Sequence, residues 1–296
     1  MGPDLHNAGW HTPGVSLISP EELAERIDEP DLRIVDVRWY LGKPGAGRAA
    51  YHAGHLPDAI HLDIDDDLTA RSGPGRHPLP DPAEFAERLG RAGIADGDFV
   101  VVYDDVGGWV AARLWWMLDN LGHARVAVLD GGLPAWTALG LPETTDVPEL
   151  PAAELLLAEH WSRTIDRHEL LDRLRHASRP TVLDARAGPR YRGEVEPIDP
   201  VAGHIPTARN APTDGNLGPD GRFLPPAALR EHYQGLGADQ GDVVTSCGSG
   251  VSACHDAFAM RVAGLPDPIL YPGSWSDWST AGYPVATGPE PGLPPA

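Results

Sequence analysis

The feature that most constrains the fold of this chain is an internal repeat, because the pattern of the first half begins again after residue 160. Glu169-Leu170-Leu171-Asp172-Arg173-Leu174 echoes Glu22-Leu23-Ala24-Glu25-Arg26-Ile27, Asp184-Ala185-Arg186 echoes Asp36-Val37-Arg38, and Ala202-Gly203-His204-Ile205-Pro206 echoes Ala53-Gly54-His55-Leu56-Pro57. The order of these motifs is the same in both halves, and their separation is nearly constant. A repeat of this length indicates two tandem copies of one domain.

Each half alternates apolar strand patterns with helical ones. Phe99-Val100-Val101-Val102-Tyr103 is typical of a buried strand, and capping boxes that begin at Ser19 and Asp166 predict the first helix of each half. The alternation predicts an α/β fold in which each domain is a mostly parallel sheet covered by helices on both faces. We expect an N-terminal domain over residues 1–142, a Pro-, Ala- and Glu-rich linker over 143–160, and a C-terminal domain over 161–296, with residues 1–15 a loose arm.

The composition excludes several classes of protein. The chain has 296 residues, 42% of them hydrophobic, and no apolar run approaches the roughly 18 residues that a membrane span needs. A net charge of -20 argues against binding to nucleic acid or to an anionic membrane. Two cysteines exclude a disulfide framework and an all-cysteine metal site, and no secretory signal is visible. These features favour a cytoplasmic protein.

Cys247 is the first candidate for chemistry. The β-branched run Val243–Ser246 ends on it, Gly248-Ser249-Gly250 follows, and a helical pattern runs from His255 to Val262. In such a strand, loop and helix, the loop N–H groups and the helix N-terminus would stabilise a sulfur anion, which is the nucleophilic form of cysteine. A buried structural cysteine is the alternative, and the position of Cys247 after a strand disfavours it.

The same loop also matches a dinucleotide-binding fingerprint, with glycines at 248 and 250 and alanine at 253. That match is weak, because no acidic residue ends the next strand and too little chain remains to complete a dinucleotide fold. The first half has Tyr103-Asp104 opposite Cys247, so it lacks a nucleophile there. We therefore expect the first domain to be inactive, and we expect the acidic Asp104-Asp105 pair to repel an anionic substrate.

The two domains with Asp-x-Arg, Ala-Gly-His-Ile-Pro and Cys-Gly-Ser-Gly-Val-Ser-Ala resemble the two-domain rhodanese family of thiosulfate and 3-mercaptopyruvate sulfurtransferases. The resemblance implies that Cys247 takes a sulfur atom from a small anionic donor and holds it as a persulfide. It then passes the sulfur to cyanide or to a thiol, for example on a thioredoxin-like acceptor. The first domain would line the cleft, and no metal or organic cofactor would be needed. Nucleophilic catalysis by Cys247 agrees with this mechanism.

The resemblance also assigns site residues. Ser249 would be a polar partner of the donor's sulfur or a proton relay, and Arg190 would bind the donor's carboxylate or sulfonate. Arg186, which is also a candidate for binding the donor, is more in keeping with a structural ion pair near Cys247. Asp65 and His77 of the first domain match residues that mercaptopyruvate enzymes place near the cleft, although they are also compatible with loop charges of no role. The remaining candidates for binding the donor are the loop residues Gly248, Gly250, Val251 and Ser252.

One departure from the family bears on the donor. Mercaptopyruvate enzymes usually have a second arginine after Glu-Pro, whereas Glu196-Pro197 is followed here by Ile198-Asp199. We therefore expect a half-built clamp, weak use of 3-mercaptopyruvate, and use of thiosulfate as well. Cys254 is expected about two turns along the helix after the loop, as a packed residue.

Two other functions remain open at this stage. A tandem domain pair could act as a non-catalytic docking scaffold, although retention of Cys247 disfavours this. Arsenate reductases and phosphatases have similar cysteine loops, but these usually close on an arginine, and this loop continues as Val251-Ser252-Ala253.

Overall fold

The computed structural model describes residues 17–295, so the arm predicted over residues 1–15 lies outside the described residues. Within the described part, the first half contains β1 Leu17–Ile18, α1 Pro20–Glu25, β2 Leu32–Asp36, α2 Ala46–Ala53, β3 Ala59–His61, α3 Pro82–Arg91, β4 Phe99–Tyr103, α4 Ala111–Asn120, β5 Val126–Leu129 and α5 Gly132–Ala138. No helix or strand lies between α5 and residue 167, so the described linker has no regular secondary structure.

The second half repeats this order with fewer strands. It contains α6 Arg167–Leu174, β6 Thr181–Asp184, α7 Gly188–Tyr191, β7 Arg209–Asn210, a 3-10 turn over Thr213–Asn216, α8 Pro226–Gly235, β8 Val243–Ser246, α9 Ala253–Val262, β9 Ile269–Leu270 and α10 Ser274–Thr280. Cys254 therefore lies in the first turn of its helix, and the expectation of two turns was wrong because the helix begins at Ala253.

The two sheets are parallel and are built from separate halves of the chain. The first has the strand order β1-β5-β4-β2-β3, and the second has the order β7-β6-β8-β9. All of their strand pairs are parallel. The predicted α/β architecture is thereby confirmed. Strands β4 and β8 are fully buried and end at the carboxyl edges of the sheets, where parallel α/β folds place their sites.

The repeat extends to individual contacts. The ion pairs Asp36–Arg38 and Asp184–Arg186 both measure 2.6 Å, and the stacked ring pairs Tyr51–His55 and Tyr191–His204 have centroids 3.9 and 3.8 Å apart. One predicted detail differs. The capping box at Ser19 is complete, whereas at Asp166 only the cap side chain accepts N–H groups and Glu169 does not return a bond.

The two halves share one apolar core. Helix α4 of the first half packs on α9 of the second, with Trp115 and Phe258 edge to face at a centroid distance of 4.7 Å. Burying ring surface from both halves in one cluster fixes their relative position. The loop after β8 therefore faces side chains of the first half. Among the described residues, no helix is long and apolar enough to cross a membrane.

Candidate active site

Cys247 lies at the carboxyl edge of the second sheet, directly after β8. The residue is only 1% exposed, and its sulfur accepts the N–H of Gly250 at 3.1 Å. Gly250 has φ of +78°, and a Cβ there would lie 2.4 Å from the carbonyl oxygen of Pro272. Only glycine fits that conformation and that space, so the loop can fold back over the sulfur. The predicted strand, loop and helix are present, and one loop N–H reaches the sulfur.

Ser274 supports this loop and was missed by the sequence analysis. Its Oγ accepts the N–H of Cys247 at 3.0 Å, donates to the carbonyl of Tyr271 at 2.8 Å, and lies 4.0 Å from the Cys247 sulfur. Ser274 has φ of +51°, and Gly132, the matching residue of the first half, has φ of +56°. A serine held in a conformation that favours glycine indicates that its hydroxyl is needed there. Alignment of the two halves of the repeat, which places Ser274 opposite Gly132, is the sequence signal that could have identified Ser274.

The structure brings together Ser249, His77 and Asp65. Ser249 Oγ lies 2.7 Å from Nδ1 of His77, and Nε2 of His77 lies 3.2 Å from Oδ1 of Asp65. A carboxylate only accepts hydrogen bonds, so the ring proton is on Nε2 and Nδ1 is left to accept from the serine hydroxyl. The three side chains therefore form a relay in which His77 can take the Ser249 proton.

The surroundings keep His77 neutral. Burial, reinforced by the charge of Arg113, lowers the pKa of His77 to about 4, and Asp65 opposes this shift. Trp39 Nε1 donates to Asp65 Oδ2 at 2.9 Å, and its ring meets the His77 ring edge to face at a centroid distance of 5.2 Å. Asp65 and His77 are thus oriented by first-domain contacts, and their role in the reaction stays a prediction.

Arg113 of α4 is a second residue that the sequence analysis missed. It is fully buried and donates to the carbonyls of Gly250 and His77, at 3.0 Å each. No carboxylate among residues 17–295 forms an ion pair with it, and its Nε is buried without a hydrogen-bond partner. Burial lowers the pKa of Arg113, although the guanidinium group remains charged at neutral pH. The signal in the sequence was a basic residue among the apolar residues 110–118 of a Trp-rich helix.

Arg186 is committed to structural contacts. Its guanidinium bonds Asp184 at 2.6 Å and the Gly203 carbonyl at 2.7 Å, and it stacks on the Trp275 ring. It also approaches Glu196 at 3.4 Å and is buried. This is the ion pair that the sequence favoured, and no face of Arg186 is left for a donor.

Arg190 lies nearer the surface than Arg186. Its Nη2 pairs with Glu196 at 2.7 Å and with Asp199 at 3.3 Å. Burial acts to raise the pKa of Glu196, but hydrogen bonds from Arg190 and from nearby backbone N–H groups outweigh it and lower the pKa, so Glu196 is ionised at neutral pH. The guanidinium lies beside Gly248, next to Cys247.

The other loop candidates have smaller roles in this geometry. Val251 is buried in the shared core, and the side chain of Ser252 forms no capping bond at the start of α9. Cys254 is fully buried, directs its thiol at the Gly250 carbonyl at 3.4 Å, and has its pKa raised by burial to about 12. Cys254 is therefore a packed thiol at neutral pH.

A pair of parallel α/β domains with a cysteine loop at the sheet edge of the second is the arrangement of rhodanese-like proteins. The family model for the rhodanese-like domain matches residues 19–139 and 166–281, so the chain belongs to the rhodanese family. It is a two-domain sulfurtransferase of that family.

The relatives support this assignment along nearly the whole chain. A probable 3-mercaptopyruvate sulfurtransferase of Pseudomonas aeruginosa is 48% identical over 92% of this chain and 98% of its own. A putative thiosulfate sulfurtransferase of Mycobacterium tuberculosis is 44% identical over 90% and 95%. Among solved structures, the 3-mercaptopyruvate enzyme SseA of Escherichia coli has a TM-score of 0.77 at 30% identity and covers 89% of this chain and 100% of its own.

Proposed function

We propose that this enzyme moves a sulfane sulfur from 3-mercaptopyruvate or thiosulfate to a thiophilic acceptor through a persulfide on Cys247. The observation that carries the proposal is the buried sulfur of Cys247, which accepts the Gly250 N–H and lies beside the Ser249–His77–Asp65 relay. A backbone donor aimed at the sulfur stabilises the anion before and after it gains a second sulfur atom.

With 3-mercaptopyruvate, the Cys247 thiolate attacks the donor's sulfur. A sulfur–sulfur bond forms, the bond between sulfur and C3 breaks, and the electron pair leaves on the pyruvate enolate. The thiol proton of the donor moves to C3, which gives pyruvate and a Cys247 persulfide anion. Ser249 and His77 are the groups that can carry this proton, because the hydroxyl faces Nδ1 of a neutral imidazole.

With thiosulfate, the same attack breaks the bond between the two sulfur atoms and releases sulfite. No proton is transferred in this step, so it does not use the Ser249–His77–Asp65 relay. The persulfide anion then passes its outer sulfur to cyanide, which gives thiocyanate, or to a thiolate, which gives a new persulfide. Both acceptors restore the Cys247 thiolate.

The proposed partners are a small anionic donor and cyanide or a thiol, including a thiol on a thioredoxin-like protein. We also propose a cytoplasmic location, supported by two free cysteines, Cys247 and Cys254, that a reducing compartment would keep as thiols. The net charge of -20 supports the expectation of no nucleic-acid or membrane partner.

Intact-mass measurement after incubation with either donor, followed by removal of the donor, tests the proposal. We expect one added sulfur atom on the parent protein and on Cys254→Ser, lost on addition of cyanide with release of thiocyanate. Cys247→Ser should show no added sulfur. An adduct that persists in Cys247→Ser, or a parent protein that gains no sulfur from either donor, would overturn the proposal.

A further inference from the structure

Two arginines from different domains flank the cysteine loop. A Cβ built on Gly248 would lie 3.1 Å from Nη2 of Arg76 and 3.6 Å from Nη1 of Arg190. Arg76 belongs to the loop before α3 in the first domain, whereas Arg190 belongs to α7 in the second. The missing side chain at Gly248 thus leaves room for both guanidinium groups beside the residue that follows Cys247.

The carboxylate of Asp199 accepts hydrogen bonds from both arginines. This buried carboxylate accepts Nη1 of Arg76 on one oxygen and Nη2 of Arg190 on the other, the second at 3.3 Å. The remaining nitrogens, Nη2 of Arg76 and Nη1 of Arg190, donate to no described residue, and both lie on the Gly248 side. Asp199 therefore orients the guanidinium groups and leaves one donor of each for an anion at the loop.

The loop that carries Arg76 is fixed against the second domain. The backbone N–H of Arg76 donates to Ser276 Oγ at 3.1 Å, and a Cβ at Gly75, whose φ is +78°, would lie 2.6 Å from the carbonyl of Gly273. The side chain of Arg76 is 27% exposed, so it can be reached from solvent although its Nε is buried without a partner. A docked backbone with a partly exposed cation is suited to binding a small anion.

We propose that Arg76 and Arg190 form a clamp, built from both domains, that binds the carboxylate of 3-mercaptopyruvate or the sulfonate oxygens of thiosulfate. This inference rests on the proposed function and names a donor-binding residue, Arg76, outside the cysteine domain. The clamp replaces the expectation of a half-built site, because Arg76 supplies the second cation that Ile198 lacks. It also gives the otherwise inactive first domain a direct part in donor binding.

The test is the KM of Arg76→Met for each donor, with dithiothreitol as an uncharged acceptor. Loss of a charge-assisted hydrogen bond should raise the donor KM about tenfold or more. The KM for dithiothreitol should stay within about twofold, because no charge on this acceptor needs the clamp. Arg71→Met is the matched control, since it removes the same charge from an exposed position of the same loop and should leave the donor KM unchanged.

Asp199→Asn separates the clamp from a purely structural ion pair. Both Arg76→Met and Asp199→Asn break the pair between the domains, but only the first removes a cation from the loop. The clamp requires a clearly larger rise in donor KM in Arg76→Met than in Asp199→Asn, because the first removes a cation from the loop and the second keeps both cations. Equal increases in both variants, or an unchanged donor KM in Arg76→Met, would overturn the clamp.

The outcomes also distinguish the clamp from the function on which it rests. A parent protein with turnover and an Arg76→Met variant with parental donor KM would refute the clamp and leave sulfur transfer standing. A parent protein without sulfur transfer from either donor would refute the proposed function itself.

Discussion

Asp104 and Cys247 occupy equivalent positions in the two domains. Each directly follows the central strand of its sheet. The carbonyl of each accepts the N–H of the second residue in the helix after the next strand, Leu133 at 2.9 Å and Trp275 at 3.0 Å respectively. The repeat therefore places a carboxylate in the first domain where the second has a sulfur.

The carboxylate of Asp104 fills its own loop. It accepts four backbone N–H groups at 2.8 to 2.9 Å, from Val106, Gly108, Val110 and Ala111. Burial raises the pKa of Asp104, and these four bonds act in the opposite direction. The first domain lacks a nucleophile at this position. Because Asp104 is buried, occupation of the loop by its own carboxylate explains the expected inactivity of this domain better than repulsion of a donor.

Asp104→Ala should destabilise the protein strongly. It leaves four N–H groups, three of them buried, without an acceptor. We expect the free energy of unfolding to fall by about 3 kcal/mol or more. Urea unfolding followed by circular dichroism measures the change, with the exposed Asp239→Ala as control. A change below about 1 kcal/mol would mean that the four bonds contribute little to stability.

Ser249→Ala should separate the two donors. Only the mercaptopyruvate step moves a proton, so we expect kcat/KM for 3-mercaptopyruvate to fall about a hundredfold, which is at the lower end of general acid–base effects. Thiosulfate serves as the internal control, and its kcat/KM should change by less than about threefold. Equal losses with both donors would show that Ser249 shapes the loop and does not carry a proton.

The ratio of the two kcat/KM values should also report on His77. Cys247 attacks both donors, so its contribution cancels in the ratio, whereas His77 must be neutral to accept the Ser249 proton. Because the pKa of His77 is lowered to about 4, the ratio of 3-mercaptopyruvate to thiosulfate should be constant from pH 5 to 7 and fall as the pH approaches 4. A fall centred near pH 6.5, the ordinary value for imidazole, would contradict this relay.

Asp256 should make the protein less stable as the pH rises. Burial raises the pKa of Asp256 to about 8, and its Oδ1 accepts from Asn216 at 3.0 Å while Oδ2 has no partner. The unfolded chain loses this proton near pH 4 and the folded chain near pH 8. Between these values the folded state binds more protons, so stability falls with pH by up to about 1.4 kcal/mol per unit.

Asp256→Asn removes this titration and keeps an acceptor for Asn216. The variant should gain stability relative to the parent as the pH rises from 5 to 8, measured by urea unfolding at each pH. The exposed Asp239→Asn is the control and should not show the trend. A difference between Asp256→Asn and the parent that is independent of pH would mean that Asp256 ionises normally in the folded state.

The sequence by itself determined the tandem α/β architecture, because apolar periodicity and capping residues act within short segments and are repeated in both halves. Phe99–Tyr103 and Val243–Ser246 are strands with the predicted bounds. Cys247 could be singled out for the same local reason, since a strand, two glycines and a helix start are contiguous. Asp65, His77 and Arg190 were predicted from the resemblance to a family. Local sequence patterns alone would not have assigned them to the same site as Cys247.

Only the tertiary structure decided how the two domains share the site. Arg76 meets Asp199 and Gly248, and Arg113 meets Gly250, across more than a hundred positions of sequence. These contacts depend on the packing of α4 on α9. Neither that packing nor the direction in which a side chain points can be predicted from the order of residues in the sequence. Arg76 lies in a loop and Arg113 in an apolar helix of the first domain. Both reach the cysteine loop only because burial of the shared core packs the first domain against it.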